Sequence, residues 1–212
     1  LMGRNQPQDN ELLFNRIAPL YADQGGDVYA ALDNPLLDLL NVKYVLTKDQ
    51  IPNPNFRLVY DREVRVYQNE AVMPRAFSIP RSCTIYAQDD LAAMAKYDPR
   101  HYVILTGSPL PSLEPASCIL NSAVVTVYKA NEVWIDVQTN ASSWLILADS
   151  YFPGWIAYAR PLGAGRDLEK ELKILRADGN FRAVQIEPGA WTVRFSYRPL
   201  LFSVGIIVTL TA

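Results

Sequence analysis

The sequence predicts an α+β fold that is mostly β, in which an N-terminal mixed helix-strand lobe is followed by an antiparallel β-sandwich. Seven short runs of alternating or β-branched residues follow one another after residue 121, with turns between them, which is typical of a sandwich. Helical spacing is confined to a few short stretches, all of them before residue 97. Half of the 212 residues are apolar, so the chain can bury a sizeable core.

These patterns divide the chain into five parts. The boundary between the lobes is a segment that contains Pro109, Pro111 and Pro115. The predicted parts are an irregular lead-in at 1–34, a mixed α/β lobe at 35–106, a proline-rich linker at 107–120, a β-sandwich lobe at 121–199 and an apolar tail at 200–212.

The first lobe is predicted to contain two helices and several strands. Asn34 caps a helix that has Pro35 at its first position and ends near Asn41, and Asp89 or Asp90 caps a second helix that runs to about Lys96. One helical turn is also expected in the lead-in, near Glu11–Ile17. The predicted strands are Val42–Thr47, a hairpin of Phe56–Tyr60 with Val64–Tyr67, an extended stretch Arg75–Tyr86 broken at Pro80, and Tyr102–Thr106.

The second lobe has almost no helical pattern and is predicted to be built from strands. Asp178-Gly179 is a strong hairpin signal, and Glu187-Pro188-Gly189 turns the chain again. The last strand alternates Trp191, Val193, Phe195 and Tyr197 with polar residues, which predicts a half-buried strand. The seven strands are Val124–Lys129, Glu132–Thr139, Trp144–Ala148, Trp155–Ala159, Glu171–Leu175, Phe181–Ile186 and Trp191–Tyr197.

The most distinctive local pattern is the aromatic turn from Asp149 to Trp155, which we call the Asp149–Trp155 corner. Asp149 follows an apolar strand, and Tyr151, Phe152 and Trp155 flank a Pro-Gly turn. One hypothesis is that Asp149, Tyr151 and Trp155 bind a carbohydrate, because a carboxylate accepts polyol hydrogen bonds while rings pack on the apolar sugar face. The alternative, which core burial by large aromatics favours, is that the rings close the sandwich while Asp149 accepts bonds from the turn backbone.

No catalytic constellation is complete in this sequence. His101 is the single histidine, and neither a nucleophile-elbow motif nor a zinc-protease motif is present. Asp89 and Asp90 are adjacent at a helix start, which favours capping over paired acid-base chemistry. We therefore predict no catalytic residue, no metal site and no cofactor in this chain.

Charge and cysteine content restrict the partners. Twenty basic and twenty-two acidic residues are scattered along the chain, which argues against a nucleic-acid partner and against a polybasic membrane patch. Cys83 and Cys118 lie in separate segments without metal-site spacing. They are either one disulfide or two buried free thiols.

Four ordered motifs resemble the C-terminal region of the YfhO family of bacterial polytopic membrane proteins. The motifs lie at Leu36–Leu46, Val66–Phe77, Asp149–Trp155 and Phe181–Pro199, and the match covers residues 36–205. The sequence departs from the family in one place, because the charged stretch Arg160–Lys170 stands where the family usually makes a short Asp-Gly turn.

The resemblance implies an extracytoplasmic domain that lies between membrane helices of a larger protein at the bacterial cell membrane. Family members look like GT-C membrane glycosyltransferases that use polyprenyl-phosphate sugars to decorate cell-envelope polymers. Their catalytic carboxylate lies in an early loop that this chain does not contain, so the domain is expected to be non-catalytic, to pack on the membrane core of its own full-length protein and to guide an acceptor glycan. The competing hypotheses are an independent carbohydrate-binding module and a purely structural or interaction domain.

The apolar tail at 200–212 has two interpretations. Its β-branched residues are compatible with a final buried strand. Its thirteen residues are also compatible with the start of a truncated transmembrane helix, which needs roughly 20 apolar residues in all. The family resemblance favours the membrane segment.

Overall fold

The computed structural model describes residues 30–107 and 118–199. The helical turn predicted near Glu11–Ile17, most of the proline-rich linker and the apolar tail at 200–212 lie outside the described residues. Within the described part, no helix is long and apolar enough to cross a membrane.

The two predicted helices form, and both are short. Helix α1 (Pro35–Leu39) is capped by Asn34, whose Oδ1 accepts the Leu36 N–H at 2.9 Å. Helix α2 (Asp90–Met94) is capped by the Asp89 carboxylate, which accepts two backbone N–H groups. Both caps confirm the sequence interpretation, because Asn and Asp satisfy the free N–H groups of a first turn.

Fifteen strands form among the described residues, and the predicted hairpin of the first lobe is confirmed. The predicted stretch at 75–86 is two strands separated by a short 3-10 turn at Arg81–Cys83, directly after Pro80. The strands are β1 (Tyr44–Thr47), β2 (Phe56–Asp61), β3 (Arg65–Asn69), β4 (Ala76–Pro80), β5 (Thr84–Ala87), β6 (Val103–Thr106), β7 (Asn121–Ser122), β8 (Val124–Lys129), β9 (Glu132–Thr139), β10 (Ser143–Ser150), β11 (Trp155–Pro161), β12 (Lys170–Leu172), β13 (Ile174–Ala177), β14 (Phe181–Ile186) and β15 (Gly189–Tyr197).

These strands make three sheets. A small sheet has the order β1-β3-β2, the central sheet has the order β5-β6-β13-β14-β10-β4-β7, and a five-stranded sheet has the order β12-β11-β15-β9-β8. All described pairs are antiparallel except β5 with β6. The central sheet takes strands from both sides of the proline-rich segment, so backbone hydrogen bonds join the ranges 35–106 and 121–199.

The central sheet is covered on both faces, which makes the fold mostly β and sandwich-like as predicted. Strand β10 shows the alternation: Leu145 and Leu147 pack against the five-stranded sheet, whereas Trp144 and Ile146 pack on the side of the two helices. Each of these four side chains is buried. Two cores therefore lie on opposite faces of one sheet.

The prediction that β15 is half-buried is wrong. Val193 and Phe195 face the inter-sheet core as expected, but Thr192 and Arg194 on the other face are buried as well. The Thr192 hydroxyl donates to Asp136, and the Arg194 guanidinium donates to Glu169. Polar partners from a neighbouring strand and from the 160–170 segment cover a face that alternation alone assigns to solvent.

Cys83 and Cys118 form a disulfide, which decides between the two alternatives left open by the sequence. Cys83 is 1% exposed and belongs to the core on the helix side of the central sheet. The bond ties the residues that precede β7 to the start of β5 across the proline-rich segment.

The Asp178-Gly179 turn between β13 and β14 confirms the predicted hairpin and buries a carboxylate. Asp178 adopts a φ of 46° and is 2% exposed. Its Oδ1 accepts the Ile104 N–H at 2.8 Å, and its own N–H donates to the Ile104 carbonyl at 2.8 Å. Burial raises the pKa of Asp178 to about 7. The hydrogen bond from the Ile104 N–H lowers this pKa, and the nearby Asp90 charge raises it. The hairpin is thereby joined to β6 through a carboxyl group that titrates near neutral pH.

Replacing Asp178 by Asn is expected to flatten the dependence of stability on pH. The folded-state pKa is raised, so the folded protein binds the proton more strongly than the unfolded chain, and stability falls as pH rises between the ordinary value of 3.8 and about 7. At 1.36 kcal/mol per pKa unit, the wild type should lose roughly 2–3 kcal/mol of unfolding free energy between pH 5 and pH 8. Asn keeps the acceptor and tolerates a positive φ. Urea unfolding at pH 5 and pH 8 measures the change in unfolding free energy for wild type and D178N. An equal change in the two proteins would contradict the prediction. Asp49→Asn, at an exposed residue, controls for the loss of one charge.

Candidate functional site at the Asp149 to Trp155 corner

The corner lies where the chain passes from the central sheet to the five-stranded sheet. Strand β10 ends after a register shift against β14 between Leu147 and Ser150, and β11 begins at Trp155. Gly154 has a φ of 103°, and a Cβ there would lie 3.0 Å from a Tyr197 ring carbon and 3.3 Å from the Pro199 backbone. Glycine is therefore required at this tight crossing.

Asp149 is the centre of a network of charged and polar side chains. Its Oδ1 accepts a hydrogen bond from Arg75 Nη1 at 2.7 Å and from the Tyr128 hydroxyl at 3.1 Å, and its Oδ2 accepts one from Arg182 Nη2 at 2.9 Å. The side chain of Asp149 is 13% exposed. The described partners of this carboxylate are thus three side chains from distant parts of the chain rather than the backbone of the turn.

Arg182 is the least exposed member of this network, with 3% of its side chain accessible. Its guanidinium carbon lies 3.9 Å from the Trp155 ring centroid and 5.3 Å from that of Phe195. Its Nε and Nη1 have no hydrogen-bond partner among the described residues. Burial lowers the pKa of Arg182 to about 10, although the Asp149 charge opposes the shift. The cation is therefore stabilised by one carboxylate and two ring faces in place of water.

Tyr128 and Arg75 form the more exposed side of the network. The Arg75 guanidinium carbon lies 5.4 Å from the Tyr128 ring centroid, and Tyr128 is 57% exposed. Burial of the hydroxyl and the neighbouring Asp149 raise the pKa of Tyr128 above its ordinary value. Tyr128 therefore remains the proton donor in its bond to Asp149.

The rings of the corner are exposed to different degrees. Trp155 is half-buried, lies on Arg182 and contacts the Tyr197 ring at a centroid distance of 5.2 Å. Phe152 lies 6.4 Å from Tyr197 and is 46% exposed. Tyr151 is half-buried, and its N–H donates to the Asn180 carbonyl at 2.7 Å. Asp149 and Trp155 are thus brought together through Arg182, and carbohydrate binding by these residues stays a prediction.

The sequence analysis did not identify Arg182, Arg75 or Tyr128 as partners of Asp149. For Arg182, however, the alternation of residues along its strand indicates a buried position. Arg182 falls on the same face of its strand as Val184 and Ile186, both of which are in the inter-sheet core. Asp149 likewise follows Leu145 and Leu147 at period two. One charge of each sign on the apolar faces of two strands predicts a buried ion pair.

The charged stretch at 160–170 forms a second network. The Glu169 carboxylate is 8% exposed and accepts hydrogen bonds from Arg160 Nη1 at 2.7 Å and Arg194 Nε at 3.0 Å. Hydrogen bonding by Arg194 is the largest cause of the lowered pKa of Glu169. The Arg160 guanidinium carbon also lies 4.7 Å from the Trp134 ring centroid. The stretch is therefore fixed onto the outer face of the five-stranded sheet.

A cavity of about 670 Å³ lies next to this stretch. It is situated where the chain crosses between the two large sheets, at Lys173 between β12 and β13 and at Glu187 between β14 and β15. Its walls are mostly apolar and include Trp144, Leu168, Leu172, Leu175, Ile186 and Trp191. Small-molecule sites commonly occupy roughly 300–1,000 Å³ and have such linings.

The other residues considered for chemistry have structural partners. His101 is exposed, and its Nδ1 lies 2.9 Å from the Cys118 carbonyl oxygen. Asp89 caps α2, whereas Asp90 accepts from the Thr106 hydroxyl and from Arg176. Within residues 30–107 and 118–199, no group of three or more potential metal ligands occurs.

Comparison with known proteins gives no assignment. No protein family, curated protein or solved structure matches this chain. The resemblance to the YfhO family is therefore neither supported nor opposed by them.

Proposed function

We propose that this chain is an extracytoplasmic, non-catalytic domain of a bacterial membrane protein that resembles a polyprenyl-phosphate-sugar-dependent glycosyltransferase of the cell envelope. The observation that carries the proposal is the Cys83–Cys118 disulfide. Structural disulfides persist in oxidising environments such as the bacterial periplasm and the cell surface, and they are rare in reducing cytosol. The disulfide supports the extracytoplasmic side of the membrane, as do the four motifs that resemble the YfhO family.

The proposed partner is the membrane core of the same full-length protein, and the outer face of the small sheet is the surface proposed for the contact. Leu46, Val66 and Tyr60 lie directly opposite one another across β1, β3 and β2. Leu46 is 67% exposed and Tyr60 is 48% exposed. The row has exposed apolar residues at both ends and the half-buried Val66 between them, which favours an interaction surface over a solvated one.

Labelling of intact cells tests the location. In full-length protein with every native cysteine replaced by Ala, Cys83 and Cys118 included, a single cysteine is introduced at the exposed Glu63, in the β2–β3 turn. A membrane-impermeant maleimide is expected to label Glu63→Cys in intact cells, and the cysteine-free parent is the control. Labelling that appears only after lysis would overturn the extracytoplasmic location. Sugar transfer by the purified chain alone would overturn the non-catalytic assignment.

Binding of an envelope glycan at the Asp149–Trp155 corner is a second candidate function. It is favoured by the exposure of Phe152 next to the Trp155 and Tyr197 rings. Glycan titration followed by tryptophan fluorescence tests it in the wild type and in Phe152→Ala. Leu162→Ala, at a residue that is 52% exposed, is the matched control. An equal response in both variants, or no response in the wild type, would leave the corner with a structural role only.

A further inference from the structure

The cavity beside the 160–170 stretch combines apolar walls with two lysines, Lys170 and Lys173. Lys170 pairs with Ala159, and Leu172 pairs with Ala157, in the ladder between β12 and β11. Directly paired residues of antiparallel strands share a face. Because Ala157 and Ala159 are in the inter-sheet core, Lys170 lies on the inner face of β12, at the cavity.

Neither Lys170 nor Lys173 has an ion pair among the described residues, and the carboxylates of Glu171 and Glu187 also line the cavity. Glu171 lies on the opposite face of β12, with its partner Tyr158. The Glu187 carboxylate accepts a hydrogen bond from Gln185 Nε2 at 2.8 Å. Lys170 shares the inner face of β12 with Leu172, so it is the cation beside the apolar wall.

The walls are held in place before any ligand arrives. Glu169 is bound by Arg160 and Arg194, and it fixes Leu168 and Lys170 on either side of it. The Trp191 Nε1 donates to the Glu187 carbonyl at 2.9 Å, and the Trp144 Nε1 donates to Thr84 Oγ1 at 2.9 Å. Both indole donors are thus used within the protein, so the rings offer their apolar surfaces to the cavity.

We propose that this cavity binds an amphiphile with an apolar chain and a single anionic head group. The chain packs against the walls formed by Leu168, Leu172 and the two tryptophan rings, and the head group pairs with the Lys170 ammonium at the opening. A carboxylate and a phosphate monoester share this chemistry. Ligand binding is measured on the purified chain and does not depend on where the protein lies in the cell, so its failure would leave the proposed extracytoplasmic location untouched.

Calorimetric titration of the purified chain with four ligands of equal chain length tests the proposal. The ligands are dodecanoate, dodecyl phosphate, dodecanol and dodecyltrimethylammonium, each below its micelle concentration. At least one anionic ligand is expected to bind roughly threefold to fivefold more tightly than the alcohol, which is the size of a partly exposed ion pair. The tighter of the two anions identifies the head group. Equal affinity for the alcohol and both anions, or no binding of either anion, would overturn the proposal.

Two variants assign the binding to this cavity. Lys170→Met should abolish the preference for the anions over the alcohol, and Lys129→Met on the opposite edge of the same sheet is the matched control. Leu168→Asp should weaken binding of every ligand by introducing a charge into an apolar wall. Leu168 is 55% exposed, so the fold tolerates this change. Unchanged binding in both test variants would place the ligand elsewhere and contradict the proposal.

Discussion

Replacing Asp149 by Ala is expected to lower the free energy of unfolding by about 3–5 kcal/mol, the usual effect of removing one partner of a buried ion pair. The reason is Arg182, whose side chain is 3% exposed and whose described carboxylate partner is Asp149. Without Asp149, the guanidinium stays enclosed between Trp155 and Phe195 with no counterion. Chemical denaturation of the purified chain measures the loss.

A second substitution separates the buried charge from lost packing. Arg182→Met removes the charge and retains an apolar side chain, so the double variant D149A/R182M should be more stable than D149A alone. The control is Arg57→Met, which breaks an ion pair whose side chains are 60% and 46% exposed and should cost no more than about 1 kcal/mol. If D149A loses no more unfolding free energy than R57M, burial does not make the Asp149–Arg182 ion pair more costly to break than an exposed pair.

Removal of the disulfide is expected to have the next largest effect. The double variant C83A/C118A should lose about 2–4 kcal/mol, because the crosslink restricts the unfolded chain by closing a long loop. The two cysteines are 35 residues apart in sequence. Thermal unfolding of wild type and variant at one protein concentration measures the change.

Reductant provides the internal control for this prediction. Dithiothreitol should lower the melting temperature of the wild type towards that of C83A/C118A and leave the variant unchanged. If the reduced wild type and the oxidised wild type melt at the same temperature, the disulfide contributes nothing to stability. A variant that melts well below the reduced wild type would instead indicate lost packing of the Cys83 side chain, which is 1% exposed.

Local features of this fold were predictable because their causes lie within a few residues. Asn34 and Asp89 cap helices through their own side chains, and Asp178-Gly179 supplies the positive φ values that its turn requires. The inward positions of Val193 and Phe195 follow from alternation alone. Each of these predictions needs only backbone sterics and short-range hydrogen bonds.

The sheet order was not predictable from the same information. Strand β4 lies between β10 and β7, and β5 pairs in parallel with β6. Such neighbours depend on contacts between residues far apart in sequence, which no local pattern specifies. The candidate site shows the same limit: Asp149 and Trp155 stand out in the sequence, but Arg182 becomes their partner only when β14 pairs with β10.

The central sheet is covered on both faces and contains strands from both sides of the proline-rich segment, which limits how the chain can be divided. A cut between residues 107 and 118 would separate β4, β5 and β6 from the four other strands of the central sheet. Each fragment would then carry unpaired strand edges and one uncovered apolar face, which favour aggregation. We therefore expect residues 1–107 and 118–212 to be soluble as one chain, or as co-expressed fragments that reassemble. Neither fragment is expected to be soluble when expressed alone.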